Sequence, residues 1–119
     1  MKIDPKYIAG WRKRFTEQEK ESHALAQKAH SDLTKAVEIL KKYGAKRILV
    51  YGSILRPERF HRRSDIDMAV EGIPGRDFIR ASADLMMAMD WQVDLKPLEK
   101  VDDSFRAMIL EKGEVIYAD

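Results

Sequence analysis

Cysteine is absent, which removes disulfides, thiolate metal sites and a thiol nucleophile together. A chain of that kind suits a reducing compartment, and the expected location is the cytoplasm. Long apolar runs are also missing. No run approaches the roughly 20 residues of a bilayer-spanning helix, so no membrane association is expected. The opening Met1-Lys2-Ile3-Asp4-Pro5 lacks the apolar centre of a secretory signal. Proline occurs four times and glycine six times, too sparsely for a low-complexity tract, so each works as punctuation. Neither sign of charge dominates: 22 Lys and Arg against 20 Asp and Glu leave a net +2. That balance gives no electrostatic reason to expect direct nucleic-acid binding.

What remains is 119 residues, 45% hydrophobic and 35% charged, the make-up of one globular domain with its own core and a charged surface. Asp4-Pro5 reads as a helix N-cap followed by proline at the first helical position. Trp11, Phe15, Ala26 or Ala29, Leu33, Ala36, Val37 and Leu40 then recur at helical spacing, and Tyr43-Gly44 closes the run. Residues 1–44 are therefore expected to be a helical segment, as one long helix or as two joined near Glu21-Ser22-His23. Positions 12–30 are thinly apolar, so this part is expected to project from the domain or to pack on a partner, in a homo- or hetero-oligomer.

Residues 45–119 carry the compact domain. Strands are expected over 46–52, 65–71 and 92–96, with a last edge strand over 114–117. Helices are expected over 76–89, with an apolar face of Phe78, Ile79, Ala83, Leu85, Met86 and Met89, and over 103–112. The order predicts an α+β fold: a small mixed sheet with helices packed on one face.

The chemistry concentrates where Arg47-Ile48-Leu49-Val50-Tyr51 runs into Gly52-Ser53, and where Ser64-Asp65-Ile66-Asp67-Met68-Ala69-Val70 follows a basic loop. Strand side chains alternate faces, so Asp65 and Asp67 point one way while Ile66, Met68 and Val70 point the other. Two carboxylates on one face repel unless a cation lies between them, and such hard oxygen ligands suit Mg²⁺. Gly52 and Ser53 offer backbone N–H groups and a hydroxyl to a phosphate, with no Cβ in the way at Gly52. Asp94, between Val93 and Leu95, falls on the same side as the other two aspartates if its apolar neighbours share their core. Three carboxylates would then converge, with Asp94 placed to bind a second ion and to accept the proton of an attacking hydroxyl. Taken singly, Asp-x-Asp and Gly-Ser are ordinary strand and turn chemistry; their joint order is specific.

That order, Ile48 to Ser53, then Ser64 to Val70, then Val93-Asp94-Leu95, resembles the nucleotidyltransferases of the DNA polymerase β superfamily, and within it the minimal nucleotidyltransferases of the MNT type. The likeness runs from about Val37 to the C-terminus, with the long N-terminal helix outside it. The resemblance implies the polymerase β-type fold, with Gly52 and Ser53 on the phosphates of ATP, and Asp65, Asp67 and Asp94 as the catalytic and Mg²⁺-binding set. Arg56 matches a basic residue common after the serine and is expected on a phosphate. The pattern departs in two places: the spacing from Ser53 to Asp65 is one residue longer than usual, and Pro57 stands where glycine commonly follows the arginine. Both lie in the loop expected to cover the triphosphate.

The same resemblance implies a protein adenylyltransferase acting as an antitoxin: AMP passes from ATP to a hydroxyl of a HEPN-type toxin, the partner. The alternative is a nucleotidyltransferase-fold module, weak or inactive in catalysis, that neutralises its partner by direct binding. A small-molecule acceptor fits less well, because such enzymes carry extra structure to hold it. His23 and His30, seven apart on the helix, read as surface or interface residues. His61 with Arg59, Arg62 and Arg63 adds positive charge to the loop, favourable beside a triphosphate.

Overall fold

The computed structural model describes residues 20–56 and 64–119. The expected helix over residues 4–19, with Trp11 and Phe15, lies outside them, as does the basic loop from Pro57 to Arg63.

Helix α1 spans Lys20–Lys42 and runs unbroken through Glu21-Ser22-His23. Ala29, Leu33, Ala36, Val37 and Leu40 are fully buried along one stripe of it, so its second half is core. Its end is a Schellman motif: the Ala45 N–H donates to the Leu40 carbonyl at 3.1 Å and the Gly44 N–H to the Lys41 carbonyl at 3.0 Å. Gly44 sits at φ +99°, a conformation open to glycine at little cost.

Four strands follow: β1 (Arg47–Tyr51), β2 (Ile66–Glu71), β3 (Val93–Pro97) and β4 (Glu114–Ala118). They form one sheet in the order β3-β2-β1-β4. β1 is antiparallel to both β2 and β4, while β2 and β3 run parallel. The parallel pair requires a crossover, supplied by α2 (Gly75–Ala88). A register shift between Ile48 and Leu49 marks a bulge against β4.

Alternation along the strands sorts two cores. Ile48 and Val50 of β1, with Ile66, Met68 and Val70 of β2, pack under α1 and α2. Leu49, Tyr51 and Ala69 point to the opposite face, where they meet Leu98 and helix α3 (Asp103–Lys112) through Ile109, Phe105 and Met108. The expectation that all helices share one face is thus corrected: two lie on one side and α3 on the other. Topology gives the reason. β3 and β4 are the two edges of the sheet, so the chain between them must cross β2 and β1, and α1 and α2 already cover the first face.

The buried stripe of α2 also differs from the expected one. Ala81 and Leu85 are buried, with Met89 just beyond the helix and Phe78 partly covered. Ile79, Ala83 and Met86, expected on the apolar face, are exposed, as is Met87.

Two polar devices fix the ends of these elements. Asp32 of α1, fully buried, accepts backbone N–H bonds from Asp90 at 2.8 Å and Trp91 at 2.9 Å. It thereby holds the chain where it turns from α2 into β3. On the far side, the Asp102 side chain caps α3 by accepting from the Phe105 N–H at 2.8 Å. Arg106 donates to the carbonyls of Leu98, Glu99 and Val101, which folds the segment after β3 under the helix.

Candidate active site

β1 ends at Tyr51 in extended backbone, and the chain turns at once into a single 3₁₀ turn, Gly52–Leu55. Gly52 adopts φ +80°, and a Cβ built on it would collide with Oδ2 of Asp67. Glycine is therefore required twice over, for the conformation and for the close approach of a carboxylate to the backbone. Ile54 and Leu55 are buried and pin the turn from below, which leaves Gly52 and Arg56 exposed and Ser53 half-buried.

Strand register brings in the aspartates. Tyr51 pairs with Asp67 across the antiparallel β1–β2 ladder, and Asp67 pairs with Asp94 across the parallel β2–β3 ladder. Tyr51, Asp67 and Asp94 thus form one row across three strands, on the α3 side of the sheet. Asp65 stands just ahead of β2 and is exposed; Asp67 is half-buried and Asp94 exposed. Burial first, then the charges of Asp94 and Asp65, raise the Asp67 carboxyl above its usual range, with Lys96 pulling the other way. Lys96 reaches both carboxylate oxygens of Asp94, at 3.1 and 3.2 Å. The Tyr51 hydroxyl is pushed up to about 12 by burial and by the charges of Asp67 and Asp94.

An open cavity of about 740 Å³ lies in front of this row, lined by Tyr51, Gly52, Ser53, Arg56 and Asp67, with Met108 and Lys112 of α3 opposite. Its size falls in the range of small-molecule sites. Gly52, Ser53, Arg56 and Asp67 therefore share one cleft, while Asp65 and Asp94 flank Asp67 outside its lining. Among the described residues no group of three carboxylate, His or Cys side chains closes into a ready-made metal cage. Mg²⁺ seldom uses one, since it is usually held by one or two carboxylates with waters and substrate phosphates. The donor chemistry fits it: hard oxygens, and in Asp67 a carboxylate whose charge is poorly compensated.

Reading the sequence alone overlooks three participants. Lys96 is reached from Asp94 by a period-2 count along β3, whereas Tyr51 joins the row only through the register of β1 against β2. The third, α3 as the far wall of the cleft, has no local signal, because its place depends on the chain crossing the second face.

The molecule is thus a small α/β domain with strand-borne carboxylates and a glycine-serine turn around one cleft. The family model described as Polymerase beta, Nucleotidyltransferase matches residues 34–119, and the chain belongs to that family. No curated protein matches the sequence. Solved structures share the fold. A toxin–antitoxin with AMP-PNP is 23% identical, covering 71% of this chain and 72% of that one at TM-score 0.62. A tri-AMPylated Shewanella oneidensis HEPN toxin in complex with MNT antitoxin matches at 20% identity, covering 74% and 71%, TM-score 0.58. A structure described as a minimal nucleotidyltransferase matches at 22% identity, covering 74% and 92%, TM-score 0.63.

Proposed function

We propose that the chain is a Mg²⁺-dependent nucleotidyltransferase that moves AMP from ATP to a hydroxyl of a HEPN-type toxin, and so acts as its antitoxin. The observation that carries this reading is Asp67 sharing one cleft with the Gly52-Ser53 turn, with Asp94 its register partner on the neighbouring strand. Support for the partner comes from the matched Shewanella oneidensis complex, in which an MNT antitoxin accompanies a tri-AMPylated HEPN toxin. In this reading residues 1–44 form a helical segment ahead of the nucleotidyltransferase domain at 45–119, and the protein works in the cytoplasm. No described helix is long and apolar enough to cross a membrane.

The roles follow from chemistry and position. Gly52 lets phosphate oxygens approach the backbone, the Ser53 hydroxyl and N–H donate to them, and Arg56 adds a cation at the mouth. Asp65, Asp67 and Asp94 would hold Mg²⁺, which, when bound, neutralises phosphate charge and acidifies a hydroxyl. The acceptor oxygen bonds to the α-phosphorus as the bond to the bridging oxygen breaks, pyrophosphate leaves, and Asp94 takes the hydroxyl proton. Lys96 donates to both oxygens of Asp94, which places a cation beside the carboxylate that takes the proton.

A second reading, neutralisation by contact alone, draws on the exposed apolar stripe of α2 formed by Ile79, Met86 and Met87. Label transfer from α-phosphate-labelled ATP separates the two. With Mg²⁺ and a purified HEPN-type toxin, the expected outcome is a labelled toxin with wild type and none with Asp65→Asn, Asp67→Asn. An unlabelled toxin that is nonetheless neutralised by both proteins would favour contact.

A further inference from the structure

The Tyr51 side chain is 94% buried, from a relative exposure of 6%, yet its hydroxyl has no hydrogen-bond partner among the described residues. A buried hydroxyl left unpaired is costly, and such groups mark places where water, an ion or a ligand completes the bonding. The ring is held firmly. It stands edge-on to Phe105 of α3, with centroids 5.8 Å apart at 84°, and packs in the second core with Leu49 and Ile109. Nothing in that packing needs an oxygen, since phenylalanine would fill the same space.

Register says what the oxygen is near. Tyr51, Asp67 and Asp94 are successive partners across β1, β2 and β3, so their side chains leave the sheet on one face, side by side. The hydroxyl is near enough to both carboxylates for their charges to act on it, on the face from which all three side chains leave the sheet. Tyr51 forms part of the wall of the cleft that is also lined by Gly52, Ser53 and Asp67. Both carboxylates accept hydrogen bonds, and a neutral phenol is a donor at working pH.

We propose that Tyr51 is a positioning residue whose hydroxyl donates a hydrogen bond to an oxygen that the loaded site brings against Asp67 and Asp94. This rests on the metal–nucleotide reading given under Proposed function. The acceptor is either a water on the cation or a phosphate oxygen of the nucleotide; both present the same lone pairs to the phenol. Ligating groups usually depend on such outer donors, and losing one typically weakens binding about 10- to 100-fold.

The test is Tyr51→Phe, which keeps the ring and its contact with Phe105. Binding of Mn²⁺ is followed by electron paramagnetic resonance, alone and with an ATP analogue carrying a methylene between its α- and β-phosphates, and thermal melting is followed without either. The expected variant melts no lower than wild type when empty, yet binds about 10-fold or more weakly when loaded. Weaker uptake of Mn²⁺ alone assigns the bond to water on the cation; weakening only with the analogue assigns it to phosphate. Unchanged binding in both arms, or weaker binding together with a lower melting temperature, overturns the proposal and leaves Tyr51 as packing. A wild type that binds neither probe overturns the metal–nucleotide reading itself, and this inference with it.

Discussion

Gly52 shows how much a single position can decide. Its φ of +80° is strained for any other residue, and a methyl group there would have to push the Asp67 carboxylate aside. Gly52→Ala is expected to cost about 1–2 kcal/mol for the left-handed backbone alone, and more for displacing Asp67, read as a lower melting temperature and lost nucleotide binding. Asp67 gives the opposite stability result. Its carboxyl is raised in the folded protein by burial and by Asp94 and Asp65. Its proton is thus held more tightly folded than unfolded. The stabilisation this brings is full below the ordinary carboxylate range and lost as pH rises through the elevated value. Near neutrality the residue is therefore a destabilising charge. Asp67→Asn should melt higher than wild type in metal-free buffer at neutral pH, with the advantage shrinking as pH falls below the carboxylate range. A lower melting point for the variant at neutral pH would count against the crowding of charge described here. The aspartates themselves are legible in the sequence because a strand has a period of two: Asp67 falls opposite Ile66 and Met68, whose burial sets the face. Asp94 follows by the same count. Legibility ends where a side chain's meaning depends on a neighbour from elsewhere, as with the unpaired Tyr51 hydroxyl.

At the scale of elements, the positions of helices and strands follow from periodicity and punctuation to within a residue or so at most boundaries. Their faces do not. On α2, Phe78, Ala81 and Leu85 make one apolar stripe, and Ile79, Ala83 and Met86 make another; only packing decides that the first is buried. For α3 the obstacle is topology, since its side of the sheet depends on where β3 and β4 lie. Asp32 escapes notice for a related reason. A lone aspartate on a lysine-rich helix reads as surface, yet it is fully buried and accepts from two backbone amides some 58 residues away. Asp32→Ala should leave both N–H groups without that acceptor and cost about 3 kcal/mol, measured by urea denaturation. It should also loosen the entry to β3, and with it the placement of Asp94. By contrast, Met87→Glu on the exposed stripe should stay within about 0.5 kcal/mol of wild type. If contact through α2 contributes to neutralisation, that variant will bind the toxin less well while folding normally.

For the whole molecule, the balance is between two cores that hold the domain together and one carboxylate, Asp67, crowded by Asp94 and Asp65 beside the cleft. The fully buried Leu33, Leu40, Ile48, Ile66 and Met68 each contribute about 1.5–3 kcal/mol over exposure, enough to carry a poorly compensated Asp67 on the interior strand β2. Such crowding of carboxylates is what a cation held between them would relieve. The central claim is transfer of AMP to a partner, and the most direct measurement is the intact mass of the partner itself. A HEPN-type toxin would be co-expressed with this chain or with its Asp65→Asn, Asp67→Asn form, then purified and weighed by mass spectrometry. The account predicts toxin heavier by one or more whole adenylyl groups with wild type, and unmodified toxin with the double variant. Unmodified toxin from both, with its toxicity still suppressed, would contradict it.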